Sequence, residues 1–146
     1  MNPLAQAEIA MLELYAERAS LEDGQRVLDL GCVWGSLALW IAQRYPRSDV
    51  VALSNSHGQH AFIEARAPKN LRVVTGNIVD FEFAEEDKQP FDRILSIEMF
   101  EHVKNYGALL ALAKISRWLA DDGKLFVHLF AHKTLAYRFA ARDSGD

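Results

Sequence analysis

The sequence predicts an α/β fold, in which a parallel β-sheet carries helices on both faces. Short apolar runs bounded by turn residues alternate along the chain with segments whose apolar residues recur at helical spacing. The first apolar run leads directly into a turn that contains Asp29, Gly31 and Gly35. Strands that alternate with helices form parallel sheets, and a glycine turn after a strand lets a ligand approach the backbone closely.

The elements follow from the pattern in order. The first twenty residues form an amphipathic helix on the spacing of Leu4, Met11, Leu12, Tyr15 and Ala19, and Glu22-Asp23-Gly24 breaks it. Strands are predicted over residues 26–30, 49–53, 71–75, 91–97 and 124–130. Helices are predicted over residues 35–45, 56–66 and 106–119, the last closed by Asp121-Asp122-Gly123 with the glycine in a left-handed cap.

Composition indicates a single domain of residues 1–146, with an N-terminal helix over 1–20 and an α/β core over 25–146. One cysteine, Cys32, suits a reducing cytoplasm, and no apolar run reaches the ~20 residues that stable membrane insertion needs. A net charge of −4 without a basic stripe argues against a nucleic-acid partner.

The carboxylate in the first turn indicates the class of ligand. Asp29 would repel the pyrophosphate of a dinucleotide but could attract a cation. S-adenosylmethionine carries an amino group and a sulfonium and no phosphate. The turn therefore favours this cofactor over a dinucleotide.

Four segments carry a family resemblance. They are the Asp29–Gly35 turn, Ser54-Asn55-Ser56-x-x-Gln59, Ser96-Ile97-Glu98-Met99-Phe100-Glu101-His102 with Lys104-Asn105-Tyr106, and Phe126-Val127-His128 with His132-Lys133-Thr134-x-Ala136-Tyr137. Together they resemble class I S-adenosylmethionine-dependent methyltransferases, and more narrowly the coclaurine N-methyltransferase and cyclopropane-fatty-acid-synthase group. The likeness covers nearly the whole chain, and the Glu-Met-Phe-Glu-His segment is its most specific part.

The resemblance implies a Rossmann-like doubly wound sheet of five parallel strands in the order 3-2-1-4-5. It also implies a cofactor site at the carboxyl ends of the strands. Asp29, Gly31, Val33 and Gly35 would shape the pocket for the methionine part, Asn55 and Gln59 would contact the adenosine and its ribose, and Asn77 and Ile78 would flank the adenine.

The resemblance further places Glu98 and His102 at the substrate amine, with Glu101 beside them. General chemistry agrees, because an amine must lose its proton before it can attack a methyl group. A histidine can accept that proton and a carboxylate can orient the amine. If the segment is helical, its spacing puts the three side chains on one face.

No metal is expected, because the chain has no Cys, His and carboxylate set with convincing zinc spacing. His57 and His60 are interpreted as surface residues of the helix predicted over residues 56–66. His128 and His132 are interpreted as structural or pocket-lining.

The sequence departs from the family pattern in three places. Val33 stands where the family has a glycine, and a β-branched residue there disfavours a positive φ and predicts weaker cofactor binding. Asn77 stands where an aspartate is usual, so an acceptor oxygen is kept and a charge is lost. The family's C-terminal hairpin of strands 6 and 7 is lacking.

The leading hypothesis is S-adenosylmethionine-dependent N-methylation of a small amine. Lipid methylation of the cyclopropane-synthase kind is the alternative enzyme. A non-catalytic truncated isoform or fragment that acts through association is the alternative of another class, favoured by Val33, Asn77 and the missing hairpin.

The missing hairpin generates a first prediction. Residues 124–130 would form an exposed apolar edge, and such an edge promotes pairing between chains. We expect the isolated chain to self-associate through this edge or to be unstable alone. Light scattering and calorimetry test this, and a monodisperse monomer that unfolds cooperatively would refute it.

Overall fold

A computed structural model of the chain describes residues 2–31, 35–97 and 105–128. The helices are α1 (Pro3–Arg18), α2 (Ser36–Arg44), α3 (His57–Glu64) and α4 (Asn105–Trp118). The strands are β1 (Arg26–Leu30), β2 (Asp49–Ser54), β3 (Leu71–Thr75), β4 (Phe91–Ile97) and β5 (Leu119–His128). A short 3-10 turn, Glu85–Asp87, precedes β4.

The five strands form one parallel sheet in the order β3-β2-β1-β4-β5, which confirms the predicted fold class and strand order. β1 lies at the centre and pairs with β2 on one side and β4 on the other. A strand in this position is buried on both faces, which accounts for the nearly continuous apolar run of β1. The order reverses next to β1, so its carboxyl end opens on the crevice where α/β sheets bind ligands.

The core has two layers, one on each face of the sheet. On one face α1, α2 and α3 pack on the sheet through residues such as Tyr15, Ile41 and Ile63. On the other face α4 packs with an aromatic cluster that includes Phe83 and Trp118. The helices on both faces confirm the doubly wound arrangement.

The predicted limits of the first four strands agree closely with the structure. β1, β3 and β4 have the predicted limits, and β2 extends one residue further, to Ser54. None of the described helices is long and apolar enough to cross a membrane.

The prediction fails at the junction of α4 and β5. α4 ends at Trp118 and β5 begins at Leu119, so Asp121 and Asp122 lie in the strand and do not close the helix. Leu119 pairs with Phe91, and Lys124 pairs with Arg93. Between these two pairs β5 has more residues than β4, and the extra residues form an irregularity in the strand. Gly123 does not have a positive φ. A β-carbon there would lie 2.8 Å from the carbonyl oxygen of Phe91, so close backbone approach is what requires the glycine.

The first helix is shorter than predicted and buries less of the predicted face. Asn2 caps its start by accepting the Ala5 N–H at 2.7 Å, and the helix ends at Arg18. Leu12 and Tyr15 are buried, but Leu4 is 80% exposed and Met11 is 46% exposed. Only the C-terminal half of α1 therefore packs on the sheet.

Asn70 joins the end of α2 to the start of β2. Its Nδ2 group donates to the carbonyl oxygens of Ala42, Tyr45 and Ser48 at 3.0, 3.1 and 3.0 Å. The carbonyls of Ala42 and Tyr45 lie at the end of α2, where backbone acceptors have no partner within the helix, and that of Ser48 directly precedes β2. One side chain therefore satisfies several backbone groups.

We expect Asn70→Asp to lower the free energy of unfolding by about 2 kcal/mol, because it replaces a shared donor with a charged acceptor facing carbonyl oxygens. Urea unfolding of both proteins measures the change. Asn55→Asp is the matched control, since it makes the same chemical change at an exposed residue. Equal destabilisation of the two variants would contradict the role of Asn70.

Candidate functional site

The candidate site lies at the carboxyl ends of β1, β2 and β3, which are neighbours in the sheet. The described site residues all lie within or just after these ends: Asp29, Gly31, Gly35, Asn55, Gln59, Asn77 and Ile78. Two backbone bonds hold the ends together, from the Gly31 N–H to the Leu53 carbonyl at 3.1 Å and from the Gly76 N–H to the Ser54 carbonyl at 2.8 Å. Val33, Glu98, Glu101 and His102 lie outside the described residues.

The glycines of the first turn have the conformations that the sequence requires. Gly31 has a φ of +68° and Gly35 a φ of +81°, a region that other residues rarely adopt. Gly35 precedes the first residue of α2, and a β-carbon on it would lie 2.6 Å from Cγ1 of Ile63. Both glycines are therefore needed for the turn, and Gly35 is also needed for the close approach of α3.

Asp29 is the buried acid of the site. It is the penultimate residue of β1 and only 2% exposed. The backbone N–H of Ala38, in the first turn of α2, donates to its carboxylate. Its Oδ2 atom has no hydrogen-bond partner in the described part of the chain. A buried carboxyl oxygen without a partner is costly, so this atom points to a missing donor or cation.

Burial also changes the acidity of Asp29. Desolvation raises the pKa of the carboxyl to about 7, and the Ala38 N–H opposes the rise. Burial disfavours the charged form, because a carboxylate loses its hydration in the interior. Asp29 therefore ionises near neutral pH, and a neighbouring cation would favour its charged form.

The segment after β2 is organised by two serines. Ser54 is fully buried, and its Oγ accepts the Ser56 N–H at 3.2 Å. The same hydroxyl lies 3.1 Å from the Ser56 carbonyl oxygen and 3.2 Å from Gln59 Oε1, so these two acceptors share its one hydrogen. Ser56 caps α3 by accepting the Gln59 N–H at 3.3 Å. Asn55 is exposed beside this network.

The segment after β3 forms a tight turn around Asn77. Asn77 Oδ1 accepts the Val79 N–H at 2.9 Å, and the Asn77 carbonyl accepts the N–H groups of Asp80 and Phe81 at 3.0 and 2.7 Å. Asn77 is exposed, whereas Ile78 is buried with the aromatic cluster on the α4 face. Of the two predicted adenine neighbours, Asn77 presents its side chain outward and Ile78 packs into the core.

Sequence reasoning missed two residues that hold this site. In the sequence Ser54 stands out only as part of a motif, whereas in the structure its buried hydroxyl links β2 to α3. Lys114 on α4 is only 9% exposed, and its Nζ donates to the Phe81 carbonyl at 2.7 Å. Its burial had no signal in the sequence, because a lysine at helical spacing is normally a surface residue.

The other histidines and acids of residues 2–31, 35–97 and 105–128 do not form a metal site. His57 is exposed, and half-buried His60 contacts Thr75 Oγ1 at 2.7 Å and Glu64 Oε2 at 3.0 Å. The His128 ring packs at a tilt against the Tyr15 ring, with centroids 5.3 Å apart, and His132 lies outside the described residues. Within those ranges, no group of three or more His, Cys, Asp or Glu side chains could hold a metal ion.

Comparison with known proteins gives the family. The family model described as mycolic acid cyclopropane synthetase matches residues 1–142. The (S)-coclaurine N-methyltransferase of Thalictrum flavum subsp. glaucum is 47% identical over 147 residues, which cover 98% of this chain and 39% of that protein. The chain spans about two fifths of the length of the curated relatives of this kind that it matches.

Solved structures agree. A coclaurine N-methyltransferase bound to N-methylheliamine and SAH superposes with a TM-score of 0.79 at 48% identity, over 87% of this chain and 38% of that one. A mycolic acid cyclopropane synthase complexed with SAH and CTAB superposes with a TM-score of 0.74 at 27% identity, over 86% of this chain and 44% of that one. These findings confirm the predicted resemblance. The chain therefore belongs to the mycolic acid cyclopropane synthetase family of S-adenosylmethionine-dependent methyltransferases, in the group that contains the coclaurine N-methyltransferases.

Proposed function

We propose that this protein binds S-adenosylmethionine and transfers its methyl group to the nitrogen of a small amine. The observation that carries the proposal is Asp29: a buried carboxyl with one unpartnered oxygen at the open end of the central strand. A cation beside that oxygen would satisfy it, whereas a phosphate would be repelled. The ammonium of a methionine moiety has the required charge and hydrogen-bond donors.

The other described site residues fit the rest of the cofactor. Gly31 and Gly35 would let the backbone approach the ligand without side-chain bulk, as a compact sulfonium nucleoside requires. Asn55, Gln59 and Asn77 supply neutral amides after β2 and β3, in reach of ribose hydroxyls and a base. The described site thus has one carboxyl and no cationic side chain among its predicted residues, which suits a nucleoside without phosphates.

The bound cofactor would supply a methyl group on a sulfonium centre. Glu98 and Glu101 are proposed to orient the acceptor amine, and His102 to take the proton that its nitrogen loses. In such a transfer the new N–C bond would form as the S–C bond broke, and the electron pair of that bond would stay on sulfur. Positioning does much of the work in such an in-line displacement, so the segment between β4 and α4 is proposed to fix the amine against the methyl carbon.

Relatives support an amine over a lipid as the acceptor. Proteins named as N-methyltransferases match at 39–47% identity, whereas a cyclopropane-fatty-acyl-phospholipid synthase of Escherichia coli matches at 36%. Lipid methylation of that kind is the second candidate function, supported by the family model itself.

Cofactor binding is tested directly by calorimetric titration with S-adenosylmethionine and S-adenosylhomocysteine. We expect saturable binding of both at one site per chain. Circular dichroism of the same sample is the control that checks whether the chain is folded. If a folded sample binds neither compound, both enzyme proposals fail for this chain, and a role through association is favoured instead.

Binding should also depend on pH through Asp29. Below pH 7 the carboxyl is protonated in the free protein, because burial raises its pKa to about 7, and it must lose that proton to pair with an ammonium. We expect the affinity for S-adenosylhomocysteine to rise about tenfold from pH 6 to pH 7.5, with proton release at pH 6. Asp29→Asn should bind more weakly and lose this dependence. The same pH profile in both proteins would rule out Asp29 as the titrating group.

The acceptor class is tested by methyl transfer to a panel of amines and to unsaturated phospholipids. We expect transfer to amines, reduced about a hundredfold or more in Glu98→Ala and His102→Ala. Glu85→Ala is the control, because Glu85 is an exposed acid outside the carboxyl edge of the sheet. Full activity of the two site variants would overturn their assignment, and transfer to phospholipid alone would favour the second candidate.

A further inference from the structure

The turn after β3 fixes the side-chain orientation of Asn77. The backbone N–H of Val79 lies 2.9 Å from one polar atom of that side chain. Since an N–H group is a donor, the atom that faces it must be the amide oxygen. The amide NH2 group therefore points away from the turn, and it has no hydrogen-bond partner in the described part of the chain.

This orientation is held by the surrounding packing. Ile78 is buried, and the Phe81 N–H returns to the Asn77 carbonyl at 2.7 Å. Phe81 in turn packs against Phe83 with ring centroids 4.9 Å apart, and its carbonyl accepts from the buried Lys114 at 2.7 Å. Flipping the amide would bring two donors together at Val79, so the NH2 group stays outward.

The outward group has the opposite polarity to a carboxylate. An aspartate in the same turn would accept the Val79 N–H with one oxygen and present the other oxygen, an acceptor, to a ligand. Asn77 presents a donor at that position. The edge of adenine carries a donor, the 6-amino group, beside an acceptor, N1. A carboxylate suits the amino group and an outward amide NH2 suits N1.

We infer that Asn77 recognises the base by donating a hydrogen bond from Nδ2 to the ring nitrogen N1. Binding of the base at Asn77 then does not depend on the 6-amino group. This inference rests on the proposed function, which places the adenine of the cofactor beside the turn after β3. It makes Asn77 a specificity-determining residue: a purine with an acceptor at N1 binds whether or not it carries the amino group.

Two analogues of S-adenosylhomocysteine separate the two contacts. The 1-deaza analogue lacks N1 and keeps the amino group, whereas the 6-desamino (purine) analogue keeps N1 and lacks the amino group. For the wild-type chain we expect the dissociation constant to rise about fivefold to tenfold with the 1-deaza analogue, and to stay within about twofold with the purine analogue.

Asn77→Asp should exchange these preferences, losing affinity for the purine analogue and tolerating the 1-deaza analogue. Asp80→Asn is the matched control, because Asp80 is an exposed residue of the same turn, and it should keep the wild-type pattern. Calorimetric titration measures all the constants, and the ratio between analogues cancels any general loss of affinity in a variant.

The outcomes distinguish this inference from the function on which it rests. If the wild-type chain binds S-adenosylhomocysteine but loses affinity only with the purine analogue, or with neither analogue, the N1 contact is wrong and the proposed function stands. An unchanged pattern in Asn77→Asp also overturns the contact. If a folded wild-type sample binds none of the three compounds, the proposed function and the inference fall together.

Discussion

The site depends on the position of β1 between β2 and β4. Because β1 pairs on both sides and is covered on both faces, every residue of its second half is buried, Asp29 included. Gly31 then turns the chain out of the sheet, and its N–H still donates to the carbonyl oxygen of Leu53 in β2. A carboxyl is thus held in the interior at the carboxyl end of the central strand. Its unsatisfied oxygen and its raised pKa, on which its proposed role toward a cation rests, both have this common cause.

Different interactions stabilise the two sides of the site. On the β2 side, buried Ser54 and capping Ser56 order the start of α3 and leave the amides of Asn55 and Gln59 near the opening. On the β3 side, backbone bonds close the Asn77 turn, and buried Lys114 ties the turn to α4. The same helix follows the segment that contains the proposed acceptor residues.

Local pattern was enough for much of this architecture. The limits of β1, β3 and β4 follow from apolar runs bounded by turn residues, and Asp29 with its glycines marked the opening from residue type alone. The start of β5 could not be found in this way, because Asp121-Asp122-Gly123 reads as a helix stop and its strand conformation depends on pairing with β4. The buried Lys114 bonds to Phe81, which is distant in sequence, and the orientation of the Asn77 amide depends on the backbone N–H of Val79. The roles of Val33, Glu98, Glu101 and His102 stay predictions, since these residues lie outside the described part of the chain.

Because of the register of the central strands, apolar side chains surround Asp29 and influence its pKa. Asp29 lies opposite Ala52 on β2 and Leu95 on β4, and both are fully buried in the same core layer. The low polarity that they maintain is what raises the pKa of the carboxyl. Evolution or engineering can therefore shift the pH range of such a protein through alkyl side chains of the core, while every group that meets a ligand stays unchanged.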